Sequence, residues 1–132
     1  MKTFSVEIVT PIKLLHEESV KYIRCPGIDG AFGIMKKHRE GVFALDIGEI
    51  KIETNRNTEW FSTSGGFAEV TSEKVELLLE SIEKSNEIDI KRATESLQRA
   101  KTRKKNSQEK VDDIRLEASL SRAMNRLRVS KK

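Results

Sequence analysis

The residues with the most scope for chemistry are three arginines, Arg92, Arg122 and Arg126. A guanidinium stays charged at physiological pH and presents a planar fork of donors that matches phosphate or carboxylate oxygens. Arg122 and Arg126 are four residues apart, so on a helix they stand one turn apart on one face. Arg92 follows Asp89 by three residues on an earlier helical segment. If the two segments fold back antiparallel, level positions sum to about 212. Asp89 and Arg92 then come level with residues 120–123, and Asp89, Arg92, Arg122 and Arg126 gather at the open end of a hairpin. Three guanidiniums repel one another unless an anion joins them, and a phosphate would serve. The plainer alternative is a solvated charged face with Arg92 bridged to Asp89.

No catalytic constellation accompanies this cluster. His16 and His38 have no Cys, Asp or Glu at metal-ligand spacing. Ser64, in Ser64-Gly65-Gly66-Phe67, has no assignable base, and its glycines suit a turn or bulge. Cys25 is the only cysteine, so no disulfide framework exists, and it reads as a packed thiol at a strand end. Neither a G-x-x-x-x-G-K-S/T loop nor a G-x-G-x-x-G turn is present. Chemistry performed by this chain alone is not expected.

The elements that must position the arginines change character near residue 85. Residues 1–85 carry 11 Lys+Arg against 14 Asp+Glu, whereas 86–132 carry 14 against 7 and contain neither Gly nor Pro. The division predicts two parts, 1–85 and 86–132, the first a docking module and the second a movable basic arm. In the first part, Phe4–Val9 alternates like a half-buried strand, and Pro11 separates it from a short strand at Ile12–Leu15. A third strand begins at Val20 and ends at Cys25-Pro26-Gly27. Turns are expected at 26–30, at Phe32-Gly33, at Asp46-Ile47-Gly48 and at Asn55-Arg56-Asn57. Strands follow at 58–63, 67–71 and around Val75–Leu79, with Trp60, Phe61 and Phe67 expected in the core. Short strands between closely spaced turns argue for an antiparallel sandwich or barrel.

In the second part, Ser85-Asn86 reads as a helix cap, with Glu87 and Asp89 in the first turn. Ile90, Ala93, Leu97 and Ala100 form one apolar stripe, and Glu87/Lys91 and Glu95/Arg99 stand at i, i+4. Lys104-Lys105-Asn106-Ser107 reads as a loop, and Asn106 with Glu109 as a capping box for a second helix. That helix has two stripes, Val111, Ile114 and Ala118 on one side and Leu116, Leu120, Ala123 and Leu127 on another. One can pack on the first helix. The other must meet the β module or a partner.

The sequence pI of about 9.2 raises nucleic-acid binding. Acids at Glu95, Asp112, Asp113 and Glu117, and the lack of aromatics in 86–132, argue against phosphate tracking or base stacking. No run of 18 apolar residues exists, and the start at Met1-Lys2-Thr3-Phe4-Ser5 lacks a signal-peptide apolar region. The expectation is a cytosolic protein, or one that meets a membrane only through partners.

The run Cys25-Pro26-Gly27-Ile28-Asp29-Gly30-Ala31-Phe32-Gly33-Ile34-Met35-Lys36-Lys37-His38 resembles the epsilon subunit of the F-type ATP synthase. So do Leu45-Asp46-Ile47-Gly48, Ser64-Gly65-Gly66-Phe67-Ala68-Glu69-Val70 and Arg122-Ala123-Met124-Asn125-Arg126-Leu127. One departure lies after His38, where the family usually carries Pro two positions on and this chain has Arg39-Glu40. The resemblance implies an α+β fold, an N-terminal antiparallel β-sandwich of about ten strands followed by a C-terminal antiparallel helical hairpin. It implies a non-catalytic rotor subunit of a proton-translocating ATP synthase, peripheral on the cytoplasmic face of a bacterial membrane or organelle-encoded. Its sandwich would dock on the gamma subunit and the c-ring through Asp29, Gly30, Ala31, Phe32 and His38. The hairpin would move between a folded-down state and an extended one that meets the alpha and beta subunits and blocks ATP hydrolysis.

The resemblance further implies that no cofactor is required and that ATP is a regulatory ligand. Some bacterial members bind ATP in the folded-down state through an I/L-D-x-x-R-A motif, here Ile88-Asp89-Ile90-Lys91-Arg92-Ala93. On this expectation Asp89 and the backbone near Ile88 read adenine, Arg92, Arg122 and Arg126 hold phosphates, and Glu83 lines the mouth. The alternatives are a stand-alone ATP-sensing module and a nucleic-acid-binding hairpin.

Overall fold

In the computed structural model, residues 2–106 and 110–132 are described. Nine strands come first: β1 (Phe4–Val9), β2 (Leu14–Gly27), β3 (Gly30–Ile34), β4 (Gly41–Leu45), β5 (Gly48–Thr54), β6 (Thr58–Thr63), β7 (Gly66–Val70), β8 (Lys74–Leu79) and β9 (Ile82–Lys84). A single 3₁₀ turn at Ser85–Glu87 leads into α1 (Ile90–Asn106), and α2 (Lys110–Ser130) follows. The expected α+β order of sandwich and then hairpin is present.

Strand order along the sheet is β1-β8-β7-β4-β2-β5-β6-β9, with β3 on β2 and β1 also on β2. Pairing is antiparallel except β1 with β8, which run parallel. The short strands expected at Ile12–Leu15 and Val20–Gly27 are largely one strand, β2. Its first half pairs with β1 and its second with β3 and β5. Between them, Ser19 takes a left-handed φ of 58° and the register with β1 slips, a bulge that bends β2 from one layer to the other. Sequence alternation cannot show such a bend, because a bulge interrupts the period of two and imitates a strand end.

Phe32-Gly33, expected as a turn, lies inside β3. The Tyr22 ring packs where a Gly33 Cβ would stand, 2.5 Å from that position, so the glycine makes room within the strand for an aromatic neighbour. Between the layers lie Val6, Ile8, Val20, Ile23, Ile34, Ile50, Ile52 and Leu77, all essentially inaccessible to water. Burial also pushes the Cys25 thiol up to about 12, the environment of a packed, inert cysteine.

The hairpin departs from expectation at both ends of α1. The helix starts at Ile90, and Asp89 is its cap, its Oδ1 accepting the Arg92 backbone N–H at 3.0 Å. Ser85-Asn86 instead belongs to the 3₁₀ turn, and buried Ile88, extended, separates that turn from the helix. Lys104, Lys105 and Asn106, expected as a loop, complete the last helical turn, where basic side chains suit the negative end of the helix dipole. The expected capping box of Asn106 with Glu109, and the side chain of Val111, lie outside the described residues. Neither Glu87/Lys91 nor Glu95/Arg99 forms an ion pair. Glu87 precedes the helix, and Arg99 donates to Ser96 Oγ at 3.1 Å.

Candidate functional site

The later end of α1 shifts the hairpin's register. Lys104 pairs with Glu117, and those numbers sum to well above 212. The positions facing each other across the helices are therefore Ser96, Arg99 and Arg103 on α1 and Ser119, Arg122 and Arg126 on α2. These side chains wall a cleft of about 410 Å³, and Ala100, Leu116 and Ala123 form its apolar base. The sandwich supplies its floor with Ser64, Ser81 and Glu83.

Each floor residue is placed by the strands. Gly65 has φ of +107°, and a Cβ on Gly66 would collide with the Leu78 carbonyl, so Ser64 is followed by a turn that only glycines can make. Thr63 Oγ1 donates to the Ser81 carbonyl at 2.8 Å and accepts from the Gly65 N–H at 3.1 Å. The Ser64 and Ser81 hydroxyls then meet at 2.7 Å. Glu83 on β9 receives Arg126 through two bonds, Nε to Oε1 at 2.6 Å and Nη2 to Oε2 at 2.9 Å, the fork geometry of a strong carboxylate pair. Arg122 donates to Ser119 Oγ at 3.3 Å. Among the described residues no carboxylate pairs with Arg99, Arg103 or Arg122. Four guanidiniums and one carboxylate thus share the cleft, leaving it strongly positive.

Of the residues singled out in the sequence, Glu83, Arg122 and Arg126 line this cleft, whereas Ile88, Asp89, Arg92 and Ala93 do not. Those four form the approach to α1 and its first turn, with Ile88 and Ala93 buried and Asp89 and Arg92 exposed. Arg92 meets Asp89 through its backbone N–H, and among the described residues no ion pair joins their side chains. In the sequence Arg99 reads only as a partner for Glu95, and Arg103 is not singled out. The signal was present, since Arg92, Arg99 and Arg103 fall within ~20° of one helical face at ~100° per residue.

Below the cleft α2 docks on β5 and β6. Asn125 is 2 % exposed, and its Nδ2 donates to the Gly48 carbonyl at 2.7 Å and to Ser62 Oγ at 3.0 Å. Its Oδ1 is buried with no partner. Val129 is fully buried beyond it, and Lys132 Nζ lies 4.5 Å from the Trp60 ring centroid. Trp60, expected in the core, is half-buried between Lys51 and Lys132. The question of which stripe of α2 finds cover has a clear answer. Leu116, Leu120 and Ala123 are buried, while Ile114 is 74 % exposed.

A matching family model covers residues 3–85, described as the beta-sandwich domain of the ATP synthase delta/epsilon chain. A second, the long alpha-helix domain of the same chain, covers 86–131. The chain belongs to the ATP synthase delta/epsilon family. Similar curated relatives are named ATP synthase epsilon chain. One from Nitratidesulfovibrio vulgaris strain DP4 is 44 % identical over 128 residues, 97 % of this chain and 96 % of the relative. One from Bacillus mycoides is 42 % identical over 130 residues, 98 % of each.

In fold the chain is similar to one in the Euglena gracilis mitochondrial ATP synthase OSCP/F1/c-ring structure. The TM-score is 0.80 at 21 % identity, over 93 % of this chain and 78 % of that one. It is also similar to a chain of the Tetrahymena thermophila mitochondrial ATP synthase central stalk and c-ring, with TM-score 0.69, 16 % identity and coverage of 98 % and 97 %. The chain is an epsilon-type, non-catalytic subunit of the rotary ATP synthase. Among its described residues no helix is long and apolar enough to cross a membrane.

The epsilon-type sandwich has a second surface of interest. Cross-strand registers align Val9, Leu78, Phe67 and Ala44 in one row across β1, β8, β7 and β4. Phe67, expected in the core, points outward and is 52 % exposed, because Ala68 beside it takes the inward position. Val42 is 66 % exposed on the same face, and Glu7, Glu76 and Glu69 form the adjoining row, with Lys74 bridging Glu7 and Glu76. This layer is not the one that receives the hairpin. Asp29, Gly30 and Ala31 are exposed at the β2–β3 turn, and Phe32, His38 and Phe43 cluster beside it with ring centroids 5.4–6.4 Å apart.

Proposed function

We propose that this subunit couples c-ring rotation to the catalytic head of a proton-translocating ATP synthase and restrains ATP hydrolysis through a hairpin whose position responds to ATP. The observation that carries the reading is the arginine-lined cleft closed by both parts of the chain. Its floor belongs to the sandwich and its walls to the hairpin, so an anion bound there favours the folded-down arrangement. A ligand that binds one state alone stabilises it by RT ln(1 + [L]/Kd), about 2.7 kcal/mol at a hundredfold excess over Kd. That is comparable with the gap expected for a small docked element.

Arg122 and Arg126 would take phosphate oxygens, with Arg126 leaving Glu83 to do so. Asp89, Arg92 and the backbone near Ile88 lie one to two turns along α1 and would engage the remainder of the nucleotide, with Ala93 packing beneath. Partner docking on the gamma subunit and c-ring would use Asp29, Gly30, Ala31, Phe32 and His38 together with the exposed apolar row. The basic hairpin, once released, has the charge to meet acidic segments of alpha and beta subunits.

An NMR titration of the full chain with ATP tests this, with GTP as control and with and without Mg²⁺. Saturable shifts around Glu83, Asp89, Arg92, Arg122 and Arg126 with ATP are expected. Their absence at millimolar ATP would leave the hairpin governed by partner contacts alone.

A further inference from the structure

We propose that Lys132, lodged against Glu49 and the Trp60 ring, is a latch that sets how often the hairpin lifts from the sandwich, independently of any ligand in the cleft.

Strand pairing puts Glu49 on β5, Ser62 on β6 and Glu83 on β9 in one row across the layer that receives α2. Each member of the row takes a side chain from α2 or from the turn beyond it. Glu83 takes Arg126 in a two-bond fork, and Ser62 takes the Asn125 amide. Glu49 takes Lys132, whose Nζ lies 3.7 Å from Oε2, with Arg128 Nε 3.8 Å from Oε1. Asn125 and Arg126 are neighbours in the chain, whereas Lys132 comes more than a helical turn later. It therefore holds the hairpin at a separate point. Neither Glu49 nor Trp60 lines the cleft, so an anion that drew Arg126 from Glu83 would leave this contact in place.

The chain past Ser130 is shaped to deliver the lysine. The Lys131 and Lys132 N–H groups donate to the Arg128 and Val129 carbonyls at 3.3 and 3.0 Å, and Ser130 Oγ donates to the Leu127 carbonyl at 2.6 Å. Bonds spanning three residues tighten the end of the helix, and Val129 within that turn is fully buried. Two residues along from the Glu49–Ser62 pair, the same face of the sheet carries the cross-strand pair Lys51–Trp60. Lys132 Nζ stands 4.5 Å from the indole centroid and Lys51 Nζ 5.3 Å, both within cation–π reach. Two ammonium groups at one ring repel unless each has a counter-charge. Glu49 supplies it for Lys132, and Glu53, at 3.0 Å, for Lys51. Lys51, Glu53 and Trp60 belong to the sandwich, and Lys132 arrives with the hairpin. The Glu49 side chain is only 25 % exposed and that of Lys132 36 %, so water screens the pair less than it would a fully solvated one.

Amide hydrogen exchange of the full chain tests the latch. All measurements are made without nucleotide, so the outcome does not depend on whether the cleft binds ATP. Lys132→Gln removes the charge and keeps much of the stem. Exchange across Leu120–Val129 should then quicken about three- to tenfold, the combined worth of a cation–π contact and a partly screened ion pair, while β2 and β8 keep their protection. Trp60 is the only tryptophan, and its emission should shift to the red as the ring meets more water. Lys132→Arg keeps a cation that stacks on aromatic rings and should stay within about twofold of the natural chain. Trp60→Leu should quicken α2 exchange by about threefold in the natural chain and scarcely at all in Lys132→Gln, because the two side chains form one contact.

Unchanged α2 exchange in Lys132→Gln would overturn the proposal. So would equal gains from Trp60→Leu in the two backgrounds, or a Lys132→Arg chain as fast as Lys132→Gln. Strands that quicken in step with α2 would overturn it as well, since the hairpin would then not lift by itself.

Discussion

The sandwich and the hairpin are held by different physics. The sandwich interlocks nine strands around a dry core of Ile, Val and Leu, with every strand paired and the long β2 threading both layers. The hairpin buries Leu116, Leu120, Val129, several alanines and one amide. Ordering backbone costs about 1–2 kcal/mol per residue, while full burial of a Leu or Val returns about 1.5–3 kcal/mol. A run of alanines returns far less, so the hairpin leans on the surface beneath it. Its tie to that surface is polar as well as apolar, with Asn125 on Gly48 and Ser62 and Arg126 on Glu83. Polar ties can be exchanged for water or a ligand, whereas the sandwich core has nothing comparable to exchange. One part of the molecule is held by a dry core, the other by contacts that water or a ligand can replace.

The contrast breaks most visibly in the sandwich. Leu77→Ala, at a fully buried site between layers, should cost about 2–5 kcal/mol in denaturant unfolding followed by circular dichroism. A loss below 1 kcal/mol would mean that the core is less closely packed than described. In the hairpin, Asn125→Ala removes two hydrogen bonds and leaves the Gly48 carbonyl and the Ser62 hydroxyl short of a partner, at about 1–3 kcal/mol. That loss should fall on docking alone. Amide exchange should quicken through α2 while β2 and β8 keep their protection, and equal loss in both would show one cooperative unit. Arg126→Ala should abolish ATP binding with the sandwich folded, as judged by calorimetry and NMR together. Ile114→Ser, at an exposed site, should change stability by no more than about 0.5 kcal/mol.

A pH test sharpens the same contrast. Burial raises the Cys25 thiol to about 12, well above the ~8.5 of an exposed thiol. The unfolded chain therefore loses this proton first. The contribution to stability is complete below pH ~8.5 and is lost as pH rises toward 12. Iodoacetamide should leave Cys25 unmodified at pH 8 in the native chain and modify it in denaturant. Rapid native labelling would contradict a sealed core.

Much of this was legible in the residues. The period-two runs marked β1 and β8, the hairpin tip at Asn55-Arg56-Asn57 marked the start of β6, and the charge break marked where strands yield to helices. The bend in β2 was not legible, because a left-handed Ser19 and a register slip leave no trace in hydropathy. Gly33 misled because a glycine that admits the Tyr22 ring resembles a turn glycine. At the cleft, Arg122 and Arg126 were found from their spacing on one helix. Arg99 and Arg103 were missed because α1 was ended a turn too early, which slid the helices past each other and placed Arg92 opposite. Ser64 and Ser81 stand 17 residues apart, and only strand pairing brings their hydroxyls together.

The most direct test of the account is amide hydrogen exchange across Leu120–Val129 in the full chain, with and without saturating ATP. A ligand bridging floor and walls predicts slower exchange in α2 with ATP, an unchanged sandwich, and no slowing in Arg126→Ala. Saturable ATP binding that leaves α2 exchange untouched would contradict it, since the nucleotide would then occupy the chain without holding the hairpin down.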